Sequence, residues 1–414
     1  MLKEQSPSRE KQPEIKWCTI MDVKEREGRL DFTDTEKTEL STRDIMAALE
    51  KGKVRELGQL DKLIAVPPHQ NYISCHIVLI EHEDKRFLAI FKGLAGEGIG
   101  EVSILTYFVD REEKTLLQRA EREIANAKIN TEWENVAYYP REVFAYMLSE
   151  KLNLGLVPPT ALRTLRGKFP VYTEGGFKLV EGETNGALQV FLPFRTYAQL
   201  EREKKAGDLP QILLNNLEQY YKIAVFDYLV QIRSRHFDDF LLDTSKEEST
   251  IFLIDHGNSM LSESTKNLRS VFLRYFGMLN RNINFIRLPK LREILINLKE
   301  NIQITLREQP EWFKKLIEDL KDLLKNKEQF EGEIKEKGLY GYGLLEVKEG
   351  IPIVTQIFEN LKEIPQGARV IKLITREDLD EFWFRLEKLI ESLENTGLIP
   401  IIYDEELGII YPLK

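Results

Sequence analysis

Arg233 to Gly257 reads RSRHFDDFLLDTSKEESTIFLIDHG. A short loop dense in arginine, histidine and aspartate opens it, and a second apolar run, IFLID, closes it on an acid and a glycine. Short apolar runs bounded by polar turns read as buried strands, so the stretch is expected to fold as a hairpin. Asp239 and Asp255, sixteen residues apart, would then meet at one end of it. Two carboxylates held close together repel each other unless a cation neutralises them, so the pair suits a divalent metal.

Upstream, YISCHIVLIEH (Tyr72–His82) and RFLAIFKG (Arg86–Gly93) are rich in β-branched and aromatic residues, and EDK between them makes a turn. Lys92 sits near the end of the second run. PREVFAYMLSEKLNLG starts a helix at Pro140, where the missing N–H does no harm, and stops near Gly155. Val143, Phe144, Met147 and Leu148 keep helical spacing, which places Glu142 in the first turn.

The chain has 414 residues, enough for two or three domain-sized units, with 42% hydrophobic and 31% charged residues. No apolar run approaches the length of a membrane span. MLKEQSPSREKQPEIKW has no apolar core, and two cysteines, Cys18 and Cys75, are too few for a disulfide framework or a zinc site. These features predict a cytoplasmic protein. A net charge of −9 argues against a general nucleic-acid binder.

Residues 1–44 read as a polar extension, apart from a short helix that opens in TRDIMAALEKGK (Thr42–Lys53) with Ser41 or Thr42 as cap. VPPTALRTL, GKFPVYT and GALQVFLPF read as short extended segments. LPQILLNNLEQYYKIAVFDYLVQI reads as one long apolar helix, and residues 266–330 are mostly helical. Two charge-laced stretches, 110–130 and 311–335, read as exposed helical faces. TREDLDEFWFRLEKLIESLE opens with a capping box from Thr375 to Asp378, and the C-terminal LIPIIYDEELGIIYPL reads as a hairpin.

Singly, each motif has an ordinary structural explanation: a surface lysine, a favourable acid at a helix N-terminus, a strand exit. In order, they match the parts of a protein-kinase-like site, where a strand lysine paired to a helix glutamate holds phosphates and two later residues hold magnesium. FKGLAGE, REVFAYMLSEKLNLGLVPPTALR, GALQVFLPF, FDYLVQIRSRHFDDFLLD, IFLIDHGNSM and NLRSVFLRYF together resemble the bacterial proteins related to phosphatidylinositol 3- and 4-kinases, in the superfamily that also holds the HipA-type kinases. The resemblance covers roughly residues 45–280. It implies an α+β, bilobal, kinase-like fold. A sheet-rich N-lobe would span 45–192, a helical C-lobe 193–345, and a C-terminal extension packed on the C-lobe 346–414.

The resemblance also implies a set of roles. Lys92 would contact ATP phosphates and Glu142 would orient it. Gln189, Val190, Phe191 and Leu192 would line the adenine hinge, and Asn71 would lie near phosphate. Asp239 and Asp255 would hold Mg2+ or Mn2+. His236 falls at a loop histidine of many members. Arg235 would orient the loop, and Asp227 would brace it from the preceding helix. The acceptor could be a protein, a lipid or a small molecule.

Three departures stand out. Ser234 replaces the aspartate that accepts the substrate proton, and serine is no base at neutral pH without help. Gly93 replaces the proline after the lysine, and residues 98–139 read as an insertion. Three readings follow: an active phosphotransferase with Asp238 as substitute acceptor, a pseudokinase scaffold, or an AMP transferase on the same fold. A wholly different class, an ATP-independent interaction protein, would use the charged helices as partner surfaces.

Overall fold

The computed structural model describes residues 15–21, 24–26, 29–31, 36–59, 75–96, 136–173, 176–205, 207, 209–232, 235–245, 249–260, 270–279, 289–404 and 409–412. The expectations for Asn71, Ser234 and the helix at 110–130 lie outside these residues, as does all but 136–139 of the insertion read at 98–139.

The fold is mixed α+β, with a sheet-rich part and a helical part. The polar N-terminal stretch is not a loose tail where it is described. Strand β1 (Lys16–Ile20) pairs antiparallel with β4 (Lys37–Ser41), and a small ladder joins β2 (Lys24–Arg26) to β3 (Arg29–Asp31). Trp17 is buried, and its indole N–H donates to Thr42 Oγ1 at 2.9 Å. One buried aromatic anchors a segment whose composition reads as solvated. Helix α1 (Thr42–Lys51) follows, capped by the Ser41 hydroxyl, which accepts from Asp44 N.

Five strands form the main sheet: β5 (Lys53–Gln59), β6 (Cys75–His82), β7 (Lys85–Gly93), β8 (Thr160–Thr173) and β9 (Gly176–Val190), in the order β5-β6-β7-β9-β8. The β6–β7 turn is two residues, Glu83 and Asp84, with Glu83 at φ 54°. The three extended segments expected from 157 onward prove to be two long strands. Gly167 and Pro170 both lie within β8, which is an edge strand among the described residues, the position where a proline, lacking a ladder donor, is tolerated. Between β7 and β8 lies helix α2 (Tyr139–Lys151), with proline in its first turn.

The single long helix expected after residue 208 is two. Short β10 (Arg195–Thr196) and α3 (Tyr197–Arg202) lead to α4 (Leu209–Asn215), and α5 (Leu217–Leu229) follows. Asn216 ends the first and caps the second, its side chain accepting from Gln219 N at 3.1 Å. The expected hairpin is present as β11 (Phe240–Asp243) and β12 (Thr250–Leu253). Helices α6 (Val271–Leu279), α7 (Pro289–Glu308), α8 (Glu311–Lys325) and α9 (Lys327–Glu336) complete the helical part.

The C-terminal part contains β13 (Tyr342–Lys348), β14 (Ile351–Phe358), β15 (Val370–Lys372), α10 (Arg376–Thr396), β16 (Ile401–Asp404) and β17 (Ile409–Pro412). Residue 345 lies inside β13. Both bonds of the Thr375–Asp378 capping box are made. This part touches both others. Helix α10 packs on α5 and α8, while β14 runs beside β9. There Asn185 Oδ1 accepts from Val354 N and the Thr184 hydroxyl donates to Pro352 O. The largest core cluster accordingly joins α2, α5, α6, α8 and α10.

Candidate active site

Strand β7 carries Lys92 one residue before its end, level with Cys75 on β6 and Ala187 on β9. Its ammonium lies 2.5 Å from Glu142 Oε1 and 3.4 Å from Asp255 Oδ1. Four pieces separated by up to 163 residues thus meet: a strand lysine, a helix acid, and the two acids of the hairpin. Burial opposes the charge on Lys92, but the carboxylates of Glu142 and Asp255 outweigh it and raise its pKa. Lys92 is a fixed cation at any physiological pH. Glu142 is itself buried, so the pair must stay intact. A lone charge left there would cost several kcal/mol.

Asp239 is buried and accepts from the His236 N–H at 2.6 Å. Its pKa is pushed up to about 7, first by burial and then by the charge of Asp255. The His236 amide, Arg235 and Lys92 offset part of this rise. Asp255 is held in left-handed backbone at φ 60°. Such a conformation costs an ordinary residue about 1–3 kcal/mol, and it persists where the surroundings impose it. Gly257 shows part of that imposition. A Cβ there would lie 2.9 Å from Tyr138 Cβ, so the Asp-His-Gly turn presses directly on the start of α2.

One guanidinium ties the two acidic segments together. Arg235 is buried and pairs with Asp227 on α5 at 2.9 Å. It also donates to Ile254 O at 2.7 Å and to Asp239 O at 3.2 Å. Asp227 in turn accepts from the Ser270 hydroxyl at 2.6 Å. His256 stacks into the same network. Its Nδ1 accepts from Arg235 Nη2 at 3.3 Å and its Nε2 faces Leu253 O at 3.2 Å, which assigns the proton to Nε2. Burial, with Arg235 and Lys92 nearby, holds its pKa well below the usual histidine value, so it is a neutral structural ring. Through these contacts Arg235 joins Asp227 on α5 to the carbonyls of Asp239 and Ile254.

The other expected residues are placed as follows. His236 is exposed on the loop. Asp238 turns toward β10 and α3, where its Oδ1 accepts from the Thr196 hydroxyl at 3.1 Å and faces Arg202 at 3.8 Å. Gln189 is buried and donates to Thr160 Oγ1 at 2.9 Å. Val190 N donates to Pro159 O and Phe191 N to Leu88 O. Phe191 O accepts from the Thr19 hydroxyl at 3.0 Å. These groups are engaged within the protein. Gly93, in place of proline, stands opposite Gly186, and the Phe91 ring fills the space that a Cβ at either would need.

The sequence reading passed over three neighbours of this site. Cys75 lies beside Lys92, Thr19 donates to Phe191 O just past the end of β9, and Arg141 is buried one residue before Glu142. Only Arg141 left a signal, as a charge beside Glu142 just ahead of the apolar run Val143–Leu148; the other two depend on long-range placement.

Among the described residues, no group of three or more His, Cys, Asp and Glu side chains is arranged to hold a metal by itself. Asp239 and Asp255 offer two carboxylates, which fits a cation that takes its remaining oxygens from phosphate and water. No helix among the described residues is long and apolar enough to cross a membrane.

No family model matches the chain, and no curated protein matches it by sequence. Among solved structures, the Golgi casein kinase aligns with a TM-score of 0.37 and 11% identity, over 90% of this chain and 78% of that one.

Proposed function

We propose that the protein binds ATP with Mg2+ or Mn2+ at Lys92, Glu142, Asp239 and Asp255, and that it is an atypical phosphotransferase related to the phosphatidylinositol 3- and 4-kinases. One observation carries this reading. Lys92 is locked to Glu142 and faces Asp255, while Asp239 is kept buried beside that second acid. A carboxyl pushed up to about 7 by burial, and then further by a second acid, is costly in isolation, and a cation beside the two acids offsets that cost.

In this reading Lys92 holds the phosphates, and Glu142 fixes its direction. Asp239 and Asp255 hold the cation, whose charge supports the transferring phosphoryl group. Arg235 keeps the two acids in register through the carbonyls of Asp239 and Ile254. Transfer through a loose transition state draws mainly on such positioning and charge, so the serine at 234 does not by itself forbid it. Asp238 as proton acceptor would first have to leave Thr196.

Label transfer tests the reading. Incubated with Mg2+ or Mn2+, a cell lysate and ATP labelled at either the α or the γ phosphate, the protein is expected to transfer γ label. Asp255→Ala is expected to transfer none. Transfer of α label would assign an AMP transferase instead. Stoichiometric ATP binding without either transfer would assign a nucleotide-binding pseudokinase. Absence of any Mg2+·ATP-induced rise in Tm at saturating nucleotide would reject the site itself, since a ligand at about 100 times its Kd stabilises by about 2.7 kcal/mol.

A further inference from the structure

Glu142 can orient Lys92 only if the first turn of α2 is itself fixed. The contacts that fix it come from a distant part of the chain. Arg141, one residue earlier, is 1% exposed. Its Nη1 donates to Ala137 O at 2.5 Å, and its Nη2 donates to Leu373 O at 3.1 Å and faces Asp378 Oδ2 at 3.5 Å. The same Nη2 reaches Met260 O, three residues past Gly257, at 3.5 Å. Ala137 N donates to Lys372 O at 2.9 Å, and Val136 forms a bridge with Lys372.

Asp378 is equally constrained. It is buried in the first turn of α10, where its Oδ2 accepts from Thr375 N at 2.8 Å and from the Thr375 hydroxyl at 3.0 Å. Residues 372–378 therefore grip the entry to α2 by backbone ladder and by ion pair. One guanidinium also links that grip to the segment after Asp255-His256-Gly257. A charge buried this deeply requires its partners, so the arrangement has one low-energy geometry.

We propose that Arg141 and Asp378 form a positioning clasp, through which the C-terminal part holds Glu142 against Lys92. They are positioning residues, since neither touches the place where a nucleotide would lie. The proposal rests on the nucleotide-binding reading for its effect on ligand affinity, but its effect on Lys92 is independent of any ligand.

The test uses the full chain with Arg141→Met and Asp378→Asn; the asparagine keeps an oxygen for the Thr375 cap and guards against a misfolded first variant. Acylation of each lysine by an amine-reactive ester is followed by peptide mass mapping, without nucleotide. Lys92 is expected to react about threefold to thirtyfold faster in the folded variants, with the surface lysines unchanged, as expected for a network residue acting at a distance. In parallel, the Kd for Mg2+·ATP is measured by calorimetry for wild type, Arg141→Met, Glu142→Gln and the double variant. The double variant is expected to bind no more weakly than the weaker single, because both changes break one linkage.

An unchanged Lys92 rate in a folded variant overturns the clasp, as do effects on Kd that simply multiply. If wild type binds no nucleotide while the Lys92 rate still rises, the nucleotide reading fails and the clasp stands.

Discussion

Replacing Asp239 by asparagine is expected to stabilise the protein, by an amount that grows with pH. The carboxyl titrates near 3.8 in the unfolded chain and near 7 in the folded one, so the folded state holds its proton more tightly. Below both values the group is neutral in both states and costs nothing. As pH rises from about 4 to 7 the unfolded state ionises first, and folding stability falls. Above 7 the full cost is reached, about 4 kcal/mol from a gap of that size. Asparagine escapes it while its amide oxygen still accepts from His236 N.

Urea unfolding should therefore show a gain of roughly 2 kcal/mol at pH 5 and about 4 kcal/mol at pH 8. Equal gains at the two pH values, or a loss, would contradict the assigned burial of a charge. In the same variant Mg2+ should no longer add to any ATP-induced rise in Tm. A residue that weakens the apo protein yet is needed for the metal is the pattern of a site that trades stability for function.

The second large effect concerns Arg235. Both it and Asp227 have fully buried side chains, so Arg235→Met strands an unpaired carboxylate and is expected to cost about 3–5 kcal/mol in urea unfolding. Arg235→Met combined with Asp227→Leu should recover much of that loss, because a buried ion pair is often worth little more than a well-packed apolar one. It should not recover nucleotide binding. The carbonyls of Asp239 and Ile254 would still lack the donor that couples the two acidic segments. A single variant as stable as wild type, or a double variant that binds Mg2+·ATP normally, would remove Arg235 from this role.

Local chemistry was legible in the sequence wherever one short stretch settles the outcome. The Glu83–Asp84 turn, the Ser41 cap, the Thr375–Asp378 box and the β11–β12 hairpin each follow from a few adjacent residues. The meeting of Lys92, Glu142, Asp239 and Asp255 was expected from the order and spacing of their motifs together with the family resemblance. What was not legible depends on sheet position or on partners far away. Pro170 fits a strand that lies at the sheet's edge among the described residues, and nothing near residue 170 says so. Asn216 splits a helix that its apolar neighbours would continue. Trp17 turns a polar terminus into an anchored strand through Thr42 and through Phe252, whose ring lies 5.6 Å away. Arg141 reads as a surface charge until residues 372–378 are placed around it.

The contact between Arg141 and Asp378 spans 237 residues of chain. On a ribosome that adds about 5–20 residues per second, the helix bearing Glu142 waits roughly 12–47 s for its partner to be made. Throughout that interval the five-stranded sheet can form with Lys92 in place, but the entry to α2 lacks the strand and the carboxylate that bracket it. A nascent chain is therefore expected to acquire its sheet well before it acquires a competent cleft. A stop codon anywhere before residue 372 would remove the Leu373 carbonyl and the Asp378 carboxylate from Arg141 and leave it the carbonyls of Ala137 and Met260 at most. The order of translation places the completion of this site after that of the sheet that carries Lys92.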